Sequence, residues 1–380
     1  MKSILIAPRK YVQGRGVIKE IGGYLRLLGK KPLVLWDARV KGIVGERVLA
    51  SLREAGLAAV DVDFRGDSTR AEVARVAEIA RCEKADVAVG VGGGKTLDTA
   101  KAAAAAVGMK TVTCPTIASN DSPTSSFTVW YDEKGNCTGF ESWGVNPDLV
   151  LVDTQVIADA PARAFVAGMG DALATWIEAE AAHKTRAGNL AGGQATMAAL
   201  AIARLCYDTL LEFGVEARRA VEQHVVTPAV EKCVEANVLL SGLGFESGGV
   251  ATAHMIANCL PSLPECHGLM HGEEVGFGLA SQLALDEDMP AAQRATIVDF
   301  EIAIGLPVTF AELGLEGIAR ERLRKIGDIC AGKGSLCENH PFEVTAESVV
   351  DAMIAADAYG RERHLLAVQG ACAACTENLL

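Results

Sequence analysis

The apolar and polar positions of this chain follow two different periods, and the change falls near residue 160. Before it, short apolar runs alternate with segments of helical period. Pro32–Trp36 is a continuous apolar run, which predicts a strand buried on both faces and ending at Asp37. A helical segment is predicted over residues 45–55, stopping at Gly56. Residues 59–64 alternate and predict a further strand, after which Ser68 or Thr69 caps a helix running to about Arg81. Residues 87–91 and 111–115 predict strands, and residues 129–131 and 149–152 add shorter β pieces. Strands that alternate with helices predict a parallel sheet with ligands at its carboxyl edge.

Beyond residue 160 the β period stops. Pro161 opens a region where only the 3.6-residue period recurs. Helices are predicted over 166–180, 194–212, 215–223, 227–240, 273–285, 291–304, 316–331 and 346–358. No internal repeat is visible. The pattern therefore predicts two domains: a Rossmann-like α/β domain over residues 1–160, and an all-helical domain over 161–380. Clefts between such domains are favoured ligand sites.

Inside the first region, one stretch changes period within itself. The run 87–91 is followed by Gly92, Gly93 and Gly94, and then by a helical pattern opening Lys95-Thr96-Leu97-Asp98. A strand, a bare glycine turn and a helix N-terminus make an anion site, because the free N–H groups and the helix dipole favour negative charge. Glycine lets a diphosphate approach the backbone, and Lys95 adds a cation. The spacing is neither G-x-G-x-x-G nor that of a P-loop. Asp37, at the end of the preceding βα unit, can bond ribose hydroxyls; it reads equally as a helix-cap aspartate. The hydroxyl-rich stretch 116–126 leaves the same sheet edge, and Asp121 is its only charge.

Composition narrows the class. The chain has 380 residues, with 36 basic and 48 acidic side chains and a formal net charge of −12. That balance argues against general nucleic-acid binding, which needs a basic surface. No run approaches the ~18–20 uncharged apolar residues of a membrane span. The N-terminal stretch lacks the pattern of a signal peptide, so a cytoplasmic location is expected. The eleven cysteines are scattered. Cys82, Cys114, Cys206, Cys233 and Cys330 read as reduced packing residues, and Cys372 and Cys375 form an isolated C-x-x-C near the C-terminus.

Three residues of the helical half form a candidate metal set. Asp171 follows Gly168-Met169-Gly170 and reads as standing near a helix N-terminus; His254 lies in an amphipathic helix, and His271 lies seventeen residues later. Two imidazoles and a carboxylate with an open position suit a catalytic Zn²⁺. Pro261 and Pro264 forbid one continuous helix between the histidines. Each residue alone reads as readily as a cap or a core side chain.

Taken together, residues 92–101, 115–119, 168–176, 224–229 and 242–249 resemble the iron-containing, or group III, alcohol dehydrogenase superfamily, and within it the branch that oxidises glycerol. The resemblance runs from about Pro8 to Tyr359. It implies NAD-dependent oxidation of glycerol at C2 to dihydroxyacetone, in a cleft between an α/β cofactor domain and a helical metal domain. It implies zinc on Asp171, His254 and His271. It also implies NAD contacts from Asp37, Gly93, Gly94, Lys95, Asp98, Thr116, Ser119, Ser125, Phe127 and Tyr131, with substrate held by Asp121 and His254. A small polyol partner and a homo-oligomer, octameric by the same resemblance, are expected. The rivals are a dehydrogenase of another small vicinal diol or hydroxyketone, a lyase of the dehydroquinate synthase type, and a non-enzymatic NAD sensor. The lyase would need a basic cluster near residues 250–275, where none is visible; the sensor would not need three metal ligands.

Overall fold

The computed structural model describes residues 2–377, with side chains as far as residue 369. The first half runs β1 (Tyr11–Gly14), α1 (Ile21–Leu25), β2 (Pro32–Trp36), α2 (Ala38–Glu54), β3 (Val60–Asp63), α3 (Arg70–Glu83), β4 (Val87–Gly92), α4 (Gly94–Val107), β5 (Lys110–Pro115), β6 (Phe127–Tyr131), β7 (Cys137–Ser142) and β8 (Leu149–Asp153). Six strands form one parallel sheet in the order β1-β8-β5-β4-β2-β3. The strand period of two explains both of its faces. Val34 and Trp36 of β2 point towards Ile21, Val44 and Val48, whereas Leu33 and Leu35 point towards Val73, Val76 and Ala100. A strand buried on both sides reads as an unbroken apolar run, which is why β2 and β4 were so plain in the sequence.

Several elements differ from expectation. Helix α2 begins at Ala38 and not near residue 45, because Asp37 caps it by accepting from the N–H groups of Arg39 and Val40. Strand β1 lies in a short polar stretch with little periodic signal. Strand β6 leaves the parallel sheet and pairs antiparallel with β7, whose sequence CTGFES carries glycine and polar residues. Among the cysteines, Cys114, Cys206, Cys233 and Cys330 are buried, but Cys82 is exposed on α3. The side chains of Cys372 and Cys375 lie outside the described residues.

From Thr154 onward the described elements are helical: α5 (Thr154–Asp159), α6 (Ala162–Thr185), α7 (Met197–Val221), α8 (Pro228–Glu235), a π turn (Ala236–Leu240), α9 (Ser241–Gly248), α10 (Thr252–Cys259), α11 (His271–Leu285), α12 (Ala291–Ile304), α13 (Arg320–Cys330) and α14 (Ala346–Glu377). The two helices predicted over 194–212 and 215–223 are one, α7. Gly214 does not break it; it gives room to the ring of Phe300, whose atoms would come within 2.6 Å of an added Cβ. Asp171 stands well inside α6, not near its start. The glycines before it do not end a loop. They sit within the helix and admit neighbouring backbone: an added Cβ would lie 1.8 Å from the Ala118 carbonyl oxygen at Gly168, and 2.3 Å from that of Gly272 at Gly170. The helical core gathers Phe165, Met169 and Leu173 of α6 with Leu210 of α7, Leu279 of α11 and Ile297 of α12.

Candidate active site

The carboxyl ends of β2, β4 and β5 lie side by side, so the glycine turn, Asp37 and Thr116 share one edge. The Asp37 N–H donates to Val91 (3.1 Å) and the Thr116 N–H to Gly92 (3.1 Å). Gly93 occupies the cap position of α4 and offers no side chain to its free N–H groups. That end of the helix is left to a ligand. A Cβ on Gly92 would lie 2.8 Å from Thr96 Oγ1 and 3.1 Å from the Asp37 Cβ; one on Gly94 would lie 3.2 Å from both Asn120 Nδ2 and Ser122 Oγ. The turn is thus tightly hemmed, and glycine keeps it open.

The residues assigned to the cofactor fall into two groups. Asp37, Gly93, Gly94, Thr116 and the half-buried Ser119 stand at this edge or on the loop that leaves it. Lys95 stands at the rim, where it ion-pairs with Asp67 and lies 4.2 Å over the Tyr131 ring. Burial raises the Tyr131 hydroxyl above its ordinary pKa. Phe127 packs its ring edge-on to Phe140 at 5.7 Å. Asp98 and Ser125 face inward. The Asp98 carboxylate pairs with the buried Lys101 at 2.8 Å and accepts from the Val129 N–H at 2.9 Å, tying α4 to β6. The Ser125 hydroxyl donates to the Ser122 carbonyl at 3.2 Å. Asp67 was not visible as a partner in the sequence, since nothing local relates it to Lys95.

The second part of the site lies on α6, α10 and the first residue of α11. Gly272 lets α11 start against α6, for an added Cβ there would come within 1.7 Å of the Ala167 carbonyl oxygen. This contact sets His271 beside Asp171. His254 Nε2 lies 3.4 Å, and His271 Nε2 3.5 Å, from Asp171 Oδ1. The candidate ligand atoms of the three residues all lie within 4.8 Å of one another. Asp171 Oδ1 is buried and has no hydrogen-bond partner among the described residues. A buried carboxylate oxygen turned towards two imidazole nitrogens, and bonded to neither, fits a divalent cation at their centre.

Glu178 completes this arrangement. It is fully buried on α6, and its carboxylate accepts from the N–H groups of Ala251 (2.8 Å) and His254 (3.0 Å) and from His254 Nδ1. With Nδ1 occupied by a carboxylate, Nε2 is left to face Asp171, as in many metal sites. The signal for Glu178 was its place seven residues after Asp171, on the same helix face.

Asp121 joins the two parts. Its N–H donates to Asp171 Oδ2 at 3.2 Å, and its Oδ2 accepts from the Ser241 hydroxyl at 2.7 Å. Burial, and then the negative charge of Asp171, push its carboxyl well above the ordinary range. Burial also pushes Asp171 upward, but His254 and His271 outweigh it and leave that carboxyl below the ordinary value. For His254, burial pulls the imidazole down, and Glu178 and Asp171 outweigh it and raise the pKa. Burial holds His271 below the usual range. On the next turn of α11, burial and the charge of Glu273 push Glu274 up to about 9. These are opposed charges crowded in a dry space, where a cation would relieve the carboxylates.

The family model for iron-containing alcohol dehydrogenase matches residues 8–154. A glycerol dehydrogenase of Escherichia coli is 43% identical over 95% of this chain and 98% of its own length. A glycolaldehyde reductase of Halobacterium salinarum is likewise 43% identical, over 95% of this chain and 99% of its own. The crystal structure of glycerol dehydrogenase from Schizosaccharomyces pombe superposes with a TM-score of 0.92 at 35% identity, covering 96% of this chain and 93% of that one. With relatives this similar across nearly their whole length, the chain belongs to the iron-containing alcohol dehydrogenase family.

Proposed function

We propose that this chain oxidises glycerol at C2 to dihydroxyacetone with NAD⁺, and that its metal is zinc. The observation that carries the reading is the unpartnered Asp171 Oδ1 facing His254 and His271, one hydrogen bond away from Asp121. Three protein ligands, two of them imidazoles, suit zinc with an open position. Zinc bound there supplies a Lewis acid that makes an alcohol more acidic. NAD⁺ held by Gly93, Gly94 and Lys95 would supply the hydride acceptor, so that glycerol and NAD⁺ would give dihydroxyacetone, NADH and a proton.

The chain's own residues do the positioning. Glu178 fixes the His254 ring, and Asp121 accepts a hydrogen bond from a substrate hydroxyl. Gly93, Gly94 and the open end of α4 receive the diphosphate, with Lys95 beside them. Asp37 takes the ribose hydroxyls. Thr116, Ser119, Phe127 and Tyr131 would contact the bound nucleotide; Asp98, through Lys101 and Val129, and Ser125, through Ser122, would hold that wall from behind. Domains over 1–160 and 161–380 would place this chemistry in the cleft. Among the described residues no helix is long and apolar enough to cross a membrane.

The test is the initial rate of NADH formation with glycerol, propane-1,2-diol, propane-1,3-diol and 1-propanol. Glycerol and propane-1,2-diol should lead, because each lost polar contact costs ~1–3 kcal/mol. Equal rates with 1-propanol would sink the reading. Chelation should abolish activity, zinc should restore it, and the far-UV circular dichroism should stay unchanged throughout. The Halobacterium relative favours a second reading, reduction of a small hydroxyaldehyde. NADH consumption with glycolaldehyde and with dihydroxyacetone separates the two.

A further inference from the structure

We propose that Ser241 is a positioning residue that fixes the Asp121 carboxylate and so sets the preference for a polyol with a third hydroxyl. The proposal rests on Asp121 contacting substrate, as above.

Ser241 owes its place to the π turn. The chain from Pro228 to Gly248 continues from α8 to α9 through the wide turn Ala236–Leu240. Such turns are rare and gather at functional sites. Here the turn reaches the hydroxyl-rich loop. Asn237 Nδ2 donates to the carbonyls of Ala118 and Phe165, both at 3.1 Å. The Val238 carbonyl accepts from Thr124 Oγ1 at 2.9 Å. Ser241, the next residue after the turn, donates to Asp121 Oδ2. The loop is therefore held on both sides of Asp121. Gly242 permits the approach, since an added Cβ would lie 1.7 Å from Thr124 Oγ1.

The contact also closes a ring with the metal-ligand helix. Thr175 stands one turn after Asp171 on α6, and its Oγ1 lies 2.9 Å from Ser241 Oγ. Both hydroxyl residues are buried. Ser241 has one hydrogen to give. Asp121 Oδ2 takes it, so Thr175 donates to Ser241. Asp121 Oδ2 is thereby committed, and its N–H is committed to Asp171. Oδ1 makes no hydrogen bond to the described residues and is the oxygen left for a ligand hydroxyl. A carboxylate torsion is soft on its own. Ser241 removes that freedom, and the ring ties the choice of oxygen to the position of Asp171.

The experiment compares Ser241→Ala, Thr175→Val, Asp121→Ala and the Asp121→Ala/Ser241→Ala double variant in the zinc-loaded enzyme. Thr175→Val keeps the shape of the side chain and breaks the same chain of bonds one step upstream. It serves if Ser241→Ala folds poorly. The readouts are kcat and KM for glycerol and propane-1,2-diol, zinc content, and line broadening of ¹³C-glycerol by the enzyme without cofactor. Ser241→Ala should lower kcat/KM for glycerol about tenfold, mainly through KM, as loss of one buried hydrogen bond does. It should weaken the broadening, move propane-1,2-diol less than glycerol, and leave zinc content as in wild type. Thr175→Val should act in the same direction and less. In the Asp121→Ala background, Ser241→Ala should add nothing. Equal losses on both substrates, or loss of zinc, would show a merely structural serine and overturn the proposal. A changed ratio of glycerol to propane-1,2-diol in Asp121→Ala with none in Ser241→Ala or Thr175→Val overturns the positioning role alone. An unchanged ratio in Asp121→Ala overturns the reading of Asp121 as well.

Discussion

Glu178 holds His254 twice, taking its backbone N–H at 3.0 Å and its ring Nδ1 with the same carboxylate. One side chain thus sets both the start of α10 and the direction of the imidazole it carries. The fully buried carboxylate also takes the Ala251 N–H.

Glu178→Gln should therefore weaken metal binding while leaving the fold in place. The amide keeps an acceptor for the backbone donors and loses the charge that supports the ring. Loss of such an outer partner typically costs about ten- to a hundredfold in metal affinity. Competition for zinc against a chromophoric chelator measures it. Wild-type affinity in Glu178→Gln would show that the carboxylate's charge is immaterial.

Asp37 has two jobs that one substitution separates. Its Oδ1 caps α2 through Arg39 and Val40 at 2.9 and 3.2 Å, and it stands beside Gly92 at the cofactor edge. Serine caps a helix as well as aspartate does, within a few tenths of a kcal/mol. Asp37→Ser should leave the melting temperature nearly unchanged while shifting the NAD⁺/NADP⁺ ratio of kcat/KM towards NADP⁺ by at least about tenfold. One removed like-charge repulsion is worth ~1.4 kcal/mol in a partly dry site. A constant ratio would move the ribose contact to another residue.

The parts of this protein that were plain in the sequence are those whose cause is local. Val34, Trp36, Val87 and Val89 are buried strand residues, and an unbroken apolar run announces them. Gly92 to Gly94 before Lys95 announce a helix start open to anions. What stayed hidden depends on partners far along the chain. Glu178 meets His254 across 76 residues, and Ser241 meets Asp121 across 120. Neither pair shares a period or a spacing. The place of Asp171 inside α6 is hidden for a related reason: Gly168 and Gly170 look like helix breakers until the Ala118 and Gly272 carbonyls are seen against them. The metal set itself was legible through family resemblance, since a lone aspartate and two separated histidines are common in any helical core.

Gly272 offers a test of that packing. An added Cβ would lie 1.7 Å from the Ala167 carbonyl oxygen and 3.1 Å from the Asp171 nitrogen, and both obstacles are backbone. Gly272→Ala must push the first turn of α11 away from α6, at a cost of ~1–3 kcal/mol or more. His271 moves with it. Urea unfolding should show the lost stability, and zinc affinity should fall in parallel. Gly268→Ala is the control, because nothing lies within 4 Å of a Cβ there. A Gly272→Ala protein with wild-type stability would contradict the described contact.

Glu301 carries the last prediction, and its sign follows from burial alone. The residue lies on α12 with its side chain fully buried, and neither carboxyl oxygen has a hydrogen-bond partner among the described residues. Burial pushes its pKa well above the ordinary value of 4.5. Native Glu301 is therefore neutral at pH values where the unfolded chain has already ionised it. Below pH 4.5 both states hold the proton, and the group costs the fold no ionisation penalty. As pH rises, the unfolded state gives up its proton first, so stability falls steadily until the folded pKa is reached. Glu301→Gln has no proton to lose. Its unfolding free energy relative to wild type should change little below about pH 4.5 and increase as pH rises above it, at up to ~1.4 kcal/mol per pH unit. Urea denaturation of both proteins between pH 4 and pH 8 reads the difference directly. A constant difference across that range would mean that Glu301 titrates normally in the fold, through a partner such as buried water. A difference that grew towards low pH would reverse the sign and require a buried cation beside it.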